Sequence, residues 1–284
     1  MTAFLFPGQG SQKVGMGEGL FDEFTELTAQ ADDILGYSIK TLCLEDPQAI
    51  LNDTQFTQPA LYVVNALSHQ KRLHSGPAAT VLAGHSLGEY NALLAAQVFD
   101  FATGLKLVQK RGQLMSQAQG GGMAAIIGLT VPQLQEVLAN HQLHTVEIAN
   151  YNSPLQTVIT GPKAAIEASL DHFKAAGARL VMPLKVSGAF HSSLMAGAQA
   201  EFKTFLTQFT FNAPQLTVIA NVTARPYPPQ DMAELLATQI TSSVQWTRTI
   251  EWMLEHGQTE FEEIGPGKVL AGLVAAIQKS KISA

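Results

Sequence analysis

The five residues Gly84-His85-Ser86-Leu87-Gly88 constrain this chain more than any other stretch. They stand between "ATVLAG", a short apolar run that reads as a buried strand, and "SLGEYNALLAAQ", whose small and apolar residues share one helical face. A G-x-S-x-G pattern at a strand-to-helix turn is the setting of a nucleophile elbow. So sharp a turn needs small neighbours, which both glycines supply. It lifts the serine hydroxyl out at the helix N-terminus and leaves the Leu87 N–H facing a developing oxyanion, with the helix dipole behind it. Ser86 is therefore the candidate nucleophile and Leu87 a candidate oxyanion donor. A plain strand–turn–helix with a surface serine is the competing interpretation.

Strand-like and helical runs alternate along the chain, which predicts an α/β protein. "TAFLF" reads as a first strand and "TQPALYVVNALSHQKRL" as a helix. The middle differs. After the glycine triplet at 120–122, expected to be a hinge or a tight entry, come "MAAIIGL", "VPQLQEVLANHQ", "HTVEIANY", "QTVITG", "PKAAIEASLDHFKAAG" and "ARLVMPLKV". That order is βαββαβ, a split βαβ module of the ferredoxin-like kind. Thr130 with Gln133 has the spacing of a capping box, and Pro162 suits a first helical position. The expected organisation is a large α/β subdomain, residues 1–122 and 188–284, with a small ferredoxin-like subdomain, residues 123–187, inserted into it. "PQLTVIANVTARP" and "FEEIGPG" read as later strands, each followed by a turn.

A serine hydroxyl is a weak nucleophile without a base. Of the eight histidines, His69, His74, His141, His144, His172 and His256 sit on polar helix ends or loops and read as solvated surface residues. His141-x-x-His144 has no third ligand nearby, so no metal site is expected. His191, in "VSGAFHSSLM", lies where the chain leaves the small subdomain, placed to face a cleft between the two units. It is the candidate base, with His85 as competitor. No acidic residue stands out as a third member, so the orienting group is expected to be a backbone carbonyl or an amide. Arg111 shares the apolar face of its helix with Leu107, Val108 and Met115. A buried arginine needs an anionic partner, which could be an internal Asp or Glu or a substrate carboxylate.

The glycine-rich residues 6–17, "FPGQGSQKVGMG", suggest a nucleotide loop but fit neither known pattern. Gly10 and Gly15 have phosphate-loop spacing, yet Met16 replaces the lysine. Lys13 stands where a dinucleotide fold needs its third glycine. The net charge of −6 argues against nucleic acid. One cysteine excludes an internal disulfide. The N-terminus lacks a basic signal-peptide region, and no apolar run is long enough to span a membrane. A cytoplasmic monomer is the expectation.

Taken together, "FPGQGSQ", "GHSLGEY", "QKRGQLM", "NSPLQTVITG", "AFHSSLM" and "EIGPGKVL" resemble the malonyl-CoA:acyl-carrier-protein transacylases, in order and over residues 6–277. "TQFTQPALYVVNAL" and "NVTARPY" are similar to the discrete acyltransferases that serve polyketide synthases in trans. The resemblance implies an α/β-hydrolase-like core carrying a ferredoxin-like insert. It implies malonyl transfer through Ser86 and His191, with Arg111 on the malonyl carboxylate. Gln9 would supply a second oxyanion N–H beside Leu87. Gln239 would orient His191 through its backbone carbonyl, although the "TSS" that follows departs from the family's pattern. Phe190 would favour malonyl over methylmalonyl. The implied partners are malonyl-CoA and an acyl carrier protein, with no metal or redox cofactor. An acyl hydrolase or esterase would use the same Ser–His chemistry, and a non-catalytic docking domain is a third possibility.

Overall fold

The computed structural model describes residues 1–186 and 188–282. Among them eight strands follow in chain order: β1 (Thr2–Phe6), β2 (Val81–Gly84), β3 (Gly121–Ile127), β4 (Glu147–Ser153), β5 (Gln156–Pro162), β6 (Leu180–Pro183), β7 (Thr217–Ile219) and β8 (Glu260–Glu263). β1 is buried from Ala3 onward and β2 throughout. Strands apolar on both faces need cover on both faces, and a parallel sheet flanked by helices provides it. β7, β2, β1 and β8 form that sheet in this order, all parallel. One side packs on the helices Thr54–Ser75 and Phe101–Gln117. The other packs on Trp246–Glu255 and Val269–Ile282, around Trp246, Ile250 and Leu273.

The second sheet is antiparallel, in the order β4-β5-β3-β6. With the helices Val131–Asn140 and Lys163–Ala175 on one face, this is the ferredoxin-like arrangement, and the whole is the expected hydrolase-like core with an inserted module. The capping box closes as its spacing predicts: Thr130 Oγ1 accepts from the Gln133 N–H and Gln133 Oε1 from the Thr130 N–H. The expected return to the large unit falls at Ser187, which lies outside the described residues.

Several local expectations need correction. Of the two options for the glycine triplet, the hinge is not seen: Gly121 and Gly122 are the first two residues of β3, paired with Pro162 and Gly161 of β5, and a Cβ on Gly121 would lie 2.1 Å from Ala189 N. "ARLVMPLKV" forms a strand only over Leu180–Pro183, and "PQLTVIANVTARP" only over Thr217–Ile219. Beyond β7 the backbone turns back on itself, with the Ala220 N–H on Arg225 O. His69 is not a surface residue. It is buried, with its ring 6.1 Å from that of Phe4 and 5.7 Å from that of Phe6. Burial, with Arg72 beside it, holds the imidazole down at about 4.

That placement makes stability depend on pH. Between about 6.5 and 4 the unfolded chain binds a proton at His69 that the folded chain refuses, so folding weakens as pH falls through this window. A His69→Leu variant removes the linkage. Its melting-temperature advantage over the native chain should widen from pH 7 to pH 4, by a stability difference of at most roughly 3 kcal/mol. A gap that stays constant over that range contradicts the assignment.

Candidate active site

β2 ends at Gly84, and the helix Gly88–Ala95 begins four residues later. A Cβ on Gly88 would lie 2.0 Å from the Phe6 carbonyl oxygen, and one on Gly84 would lie 1.9 Å from the backbone of Gly88. Neither position admits a side chain. Between them Ser86 adopts a φ of 52°. A left-handed φ at a non-glycine residue is uncommon and is held by its surroundings. Asn221 provides the hold: its Oδ1 accepts the Ser86 N–H at 2.7 Å and its Nδ2 donates to Gly84 O at 2.7 Å.

His191 arrives on the segment after β6, also with a positive φ, 58°. Its Nε2 lies 2.8 Å from Ser86 Oγ. Its Nδ1 faces two backbone carbonyls, Gln239 O at 2.9 Å and Ser242 O at 3.1 Å. Two acceptors on that side fix the proton on Nδ1 and leave Nε2 bare to accept from the serine. Gln239 is thus where the sequence reading put it, and Ser242 joins it. Burial, with Arg111 close by, holds the imidazole down at about 3, so it is neutral at rest. The competitor His85 is occupied elsewhere. Its Nε2 pairs with Asn152 Oδ1 at 2.8 Å and its ring packs 5.3 Å from that of Trp246. His141 stacks on His172 and His256 on Trp252, each at 3.8 Å.

Arg111 is 1 % exposed. Among the described residues no Asp or Glu forms an ion pair with it. Its Nη1 donates to Gln58 Oε1 at 2.7 Å, and its Nη2 to Gln239 Oε1 at 2.8 Å and to Ser86 Oγ at 3.2 Å, while Nε has no partner. Neutral amides satisfy the donors, and the Glu89 carboxylate acts on the charge only from beyond hydrogen-bond reach. A buried cation in that state costs several kcal/mol unless an anion joins it.

The glycine loop after β1 approaches the elbow from the other side. A Cβ on Gly8 would lie 2.3 Å from His85 O. Around this contact several backbone donors are engaged. Gly10 N–H donates to Gln12 Oε1, Ser11 N–H to Gly8 O, Ser86 N–H to Asn221 and Gly88 N–H to His85 O. The N–H groups of Gln9 and Leu87 have no partner among the described residues. Both residues line the same cavity of about 90 Å³, together with Ser86, His191, Arg111 and an apolar wall that includes Met115, Met123, Val186 and Phe190. The space suits the acyl end of a substrate and not a nucleotide.

No carboxylate among the described residues meets His191, whose Nδ1 faces backbone carbonyls as expected. The sequence did not show that Glu89, three residues beyond the nucleophile, is buried, only 1 % exposed. Gln58 and Asn221 were missed as well. A charged residue on an otherwise small and apolar helix face was the one signal available for Glu89; an isolated Asn or Gln gives none. No group of three or more His, Cys, Asp or Glu among the described residues is placed to hold a metal ion, and none of their helices is long and apolar enough to cross a membrane.

A serine on a strand–helix elbow, a histidine on its hydroxyl and two free N–H groups across the cavity define a protein of the serine-nucleophile acyl-transferring class. The acyl transferase domain family matches residues 3–283. The polyketide biosynthesis malonyl CoA-acyl carrier protein transacylase PksC of Bacillus subtilis is 56% identical over 281 residues, 98% of both chains. The malonyl CoA-acyl carrier protein transacylase of Synechocystis is 47% identical over 96% of this chain and 92% of its own. A solved malonyl CoA-acyl carrier protein transacylase from Burkholderia pseudomallei superposes with a TM-score of 0.95 at 49% identity, over 98% of each chain. Another solved structure, a malonyl-transacylase in complex with a type II polyketide synthase acyl-carrier protein, gives 0.92 at 38% identity, over 98% of this chain and 93% of that one. The chain belongs to the acyl transferase domain family, among the malonyl-CoA:acyl-carrier-protein transacylases.

Proposed function

We propose that this chain moves a malonyl group from malonyl-CoA to the phosphopantetheine thiol of an acyl carrier protein, in the cytoplasm, acting in trans for a polyketide synthase. The observation that carries the reading is Arg111, a buried guanidinium with no carboxylate in ion-pair contact among the described residues, 3.2 Å from Ser86 Oγ. A malonyl ester on Ser86 would bring a free carboxylate to that cation, whereas a neutral acyl chain would leave it unpaired.

His191 Nε2 takes the Ser86 proton as Oγ attacks the thioester carbon. The tetrahedral oxyanion sits between the N–H groups of Gln9 and Leu87. As the intermediate collapses, the C–S bond breaks and His191 gives its proton to the CoA sulfur. Malonyl-Ser86 waits with its carboxylate on Arg111. The carrier thiol then gives its proton to His191 and attacks the ester. The serine leaves and recovers its proton, so the balance closes without a metal or redox cofactor. Arg111 also lowers the basicity of His191. A malonyl carboxylate offsets that charge, so malonyl strengthens the base and acetyl does not. Phe190, against the acyl α-carbon, leaves little room for a methyl branch.

The direct test loads the protein from a mixture of malonyl-, methylmalonyl- and acetyl-CoA, reads the acyl-enzyme by intact mass, and chases it with carrier protein. Malonyl should dominate and leave only when carrier is added; fast release to water would identify a hydrolase. Arg111→Ala should cut malonyl loading by about 10²–10³, the range for truncating one partner of a buried charge pair, and acetyl loading by less than about 10-fold. Equal losses for both acyl groups would remove the clamp.

A further inference from the structure

Glu89 is the one buried carboxylate among the described residues, and it touches neither Ser86, His191 nor Arg111 through its side chain. Its Oε1 accepts the Asn221 N–H at 2.9 Å and the Tyr227 hydroxyl at 2.8 Å, and its Oε2 accepts Gln239 Nε2. Each main partner holds a reacting group in turn. Asn221 clamps the elbow at Ser86 N and Gly84 O. Gln239 holds Arg111 through its side-chain oxygen, Ser86 O through its Nε2 at 2.9 Å, and the His191 imidazole through its backbone carbonyl.

The side-chain amide of Gln239 can sit either way round, and its neighbours decide which. Arg111 Nη2 is a donor and needs the oxygen. The NH₂ must then face acceptors, and an ionised carboxylate, which only accepts, secures that orientation. Resting on the malonyl-transfer reading, we propose that Glu89 is a positioning residue: by fixing the Gln239 amide and the Asn221 backbone it aligns nucleophile, base and carboxylate clamp as one unit. In a Glu89→Gln variant the Asn221 N–H still claims the oxygen. The new NH₂ then meets Gln239 Nε2, donor against donor. The Gln239 amide turns over and presents its own NH₂ to Arg111.

Burial pushes the Glu89 carboxyl up to about 7, against the pull of its three hydrogen bonds and of Arg111. Protonation makes the same donor–donor conflict in the native chain. The titratable groups around it stay fixed over this range: Tyr227 and Tyr90 are raised by burial, His191 is held at about 3, and Arg111 remains a cation. The acid limb near neutrality therefore belongs to Glu89 and not to the base.

The experiment measures kcat/KM for loading from malonyl-CoA and acetyl-CoA, and the rate of inactivation by phenylmethylsulfonyl fluoride, for the native and Glu89→Gln proteins. Melting temperatures are taken on the same samples. Malonyl loading should fall by about 10²-fold and acetyl loading and sulfonylation by about 10-fold, a split expected when a network that serves two limbs is loosened. In the native protein the malonyl-to-acetyl ratio should fall several-fold from pH 8 to pH 6. A folded variant with unchanged ratio and sulfonylation rate overturns the inference, and so do losses that track only the folded fraction. Should the variant not fold, a native ratio that stays flat with pH overturns it equally. A native protein that loads no malonyl overturns the transfer reading instead, and the sulfonylation arm still tests the alignment.

Discussion

Replacing Ser86 by alanine should abolish acyl-enzyme formation from malonyl-CoA, with the loading rate down by about 10⁶-fold, the scale seen when a serine nucleophile is removed. The loss should come with an intact fold. Alanine meets the positive φ no worse than serine does, and the contacts that close the elbow, Asn221 to Ser86 N and Gly84 O, are to backbone. The buried Arg111 loses one hydrogen bond and keeps Gln58 and Gln239. Melting temperature should therefore stay within a few degrees of native, while intact mass shows no malonyl adduct. An adduct that survives the substitution would place the nucleophile elsewhere and sink the mechanism.

His191→Ala should cost about 10⁴–10⁶ in the same rate, and the double variant with Ser86→Ala should be no worse than either alone, because the two act as a unit. The reason is geometric. The imidazole meets Ser86 Oγ at 2.8 Å and is oriented by neutral carbonyls, so no second group stands ready to take the proton. His85 cannot substitute while Asn152 holds its Nε2. A variant that loads malonyl within tenfold of native would show that His191 is not the base. The backbone His191 N–H to Ile240 O contact at 3.1 Å survives the change and keeps the segment in place.

Legibility followed range along the chain. The elbow could be read because the strand, the serine, both glycines and the helix all lie between Val81 and Ala95, each serving the same turn. The ferredoxin-like module could be read from the order of its periodic segments and one capping box. Arg111 could be read because a cation on an apolar helix face is anomalous by itself. Its real partners could not: Gln58 lies 53 positions away and Gln239 128. Glu89 and Asn221 meet across 132 residues. Each looks ordinary until the sheet brings β2 and β7 side by side. His69 was misread for a related reason. It sits near the polar end of its helix, and its burial depends on β1, where Phe4 and Phe6 receive it.

The left-handed backbone at Ser86 has a consequence for altering this enzyme by mutation. A β-branched residue is a steric outlier at positive φ, so threonine is barred from the nucleophile position by the main chain before its reactivity is in question. Cysteine carries no such branch and keeps the shape of serine. A randomised library at position 86, selected for covalent turnover, should return serine and cysteine and never threonine. The elbow thus narrows the chemistry open to selection to an oxygen or a sulfur on an unbranched side chain.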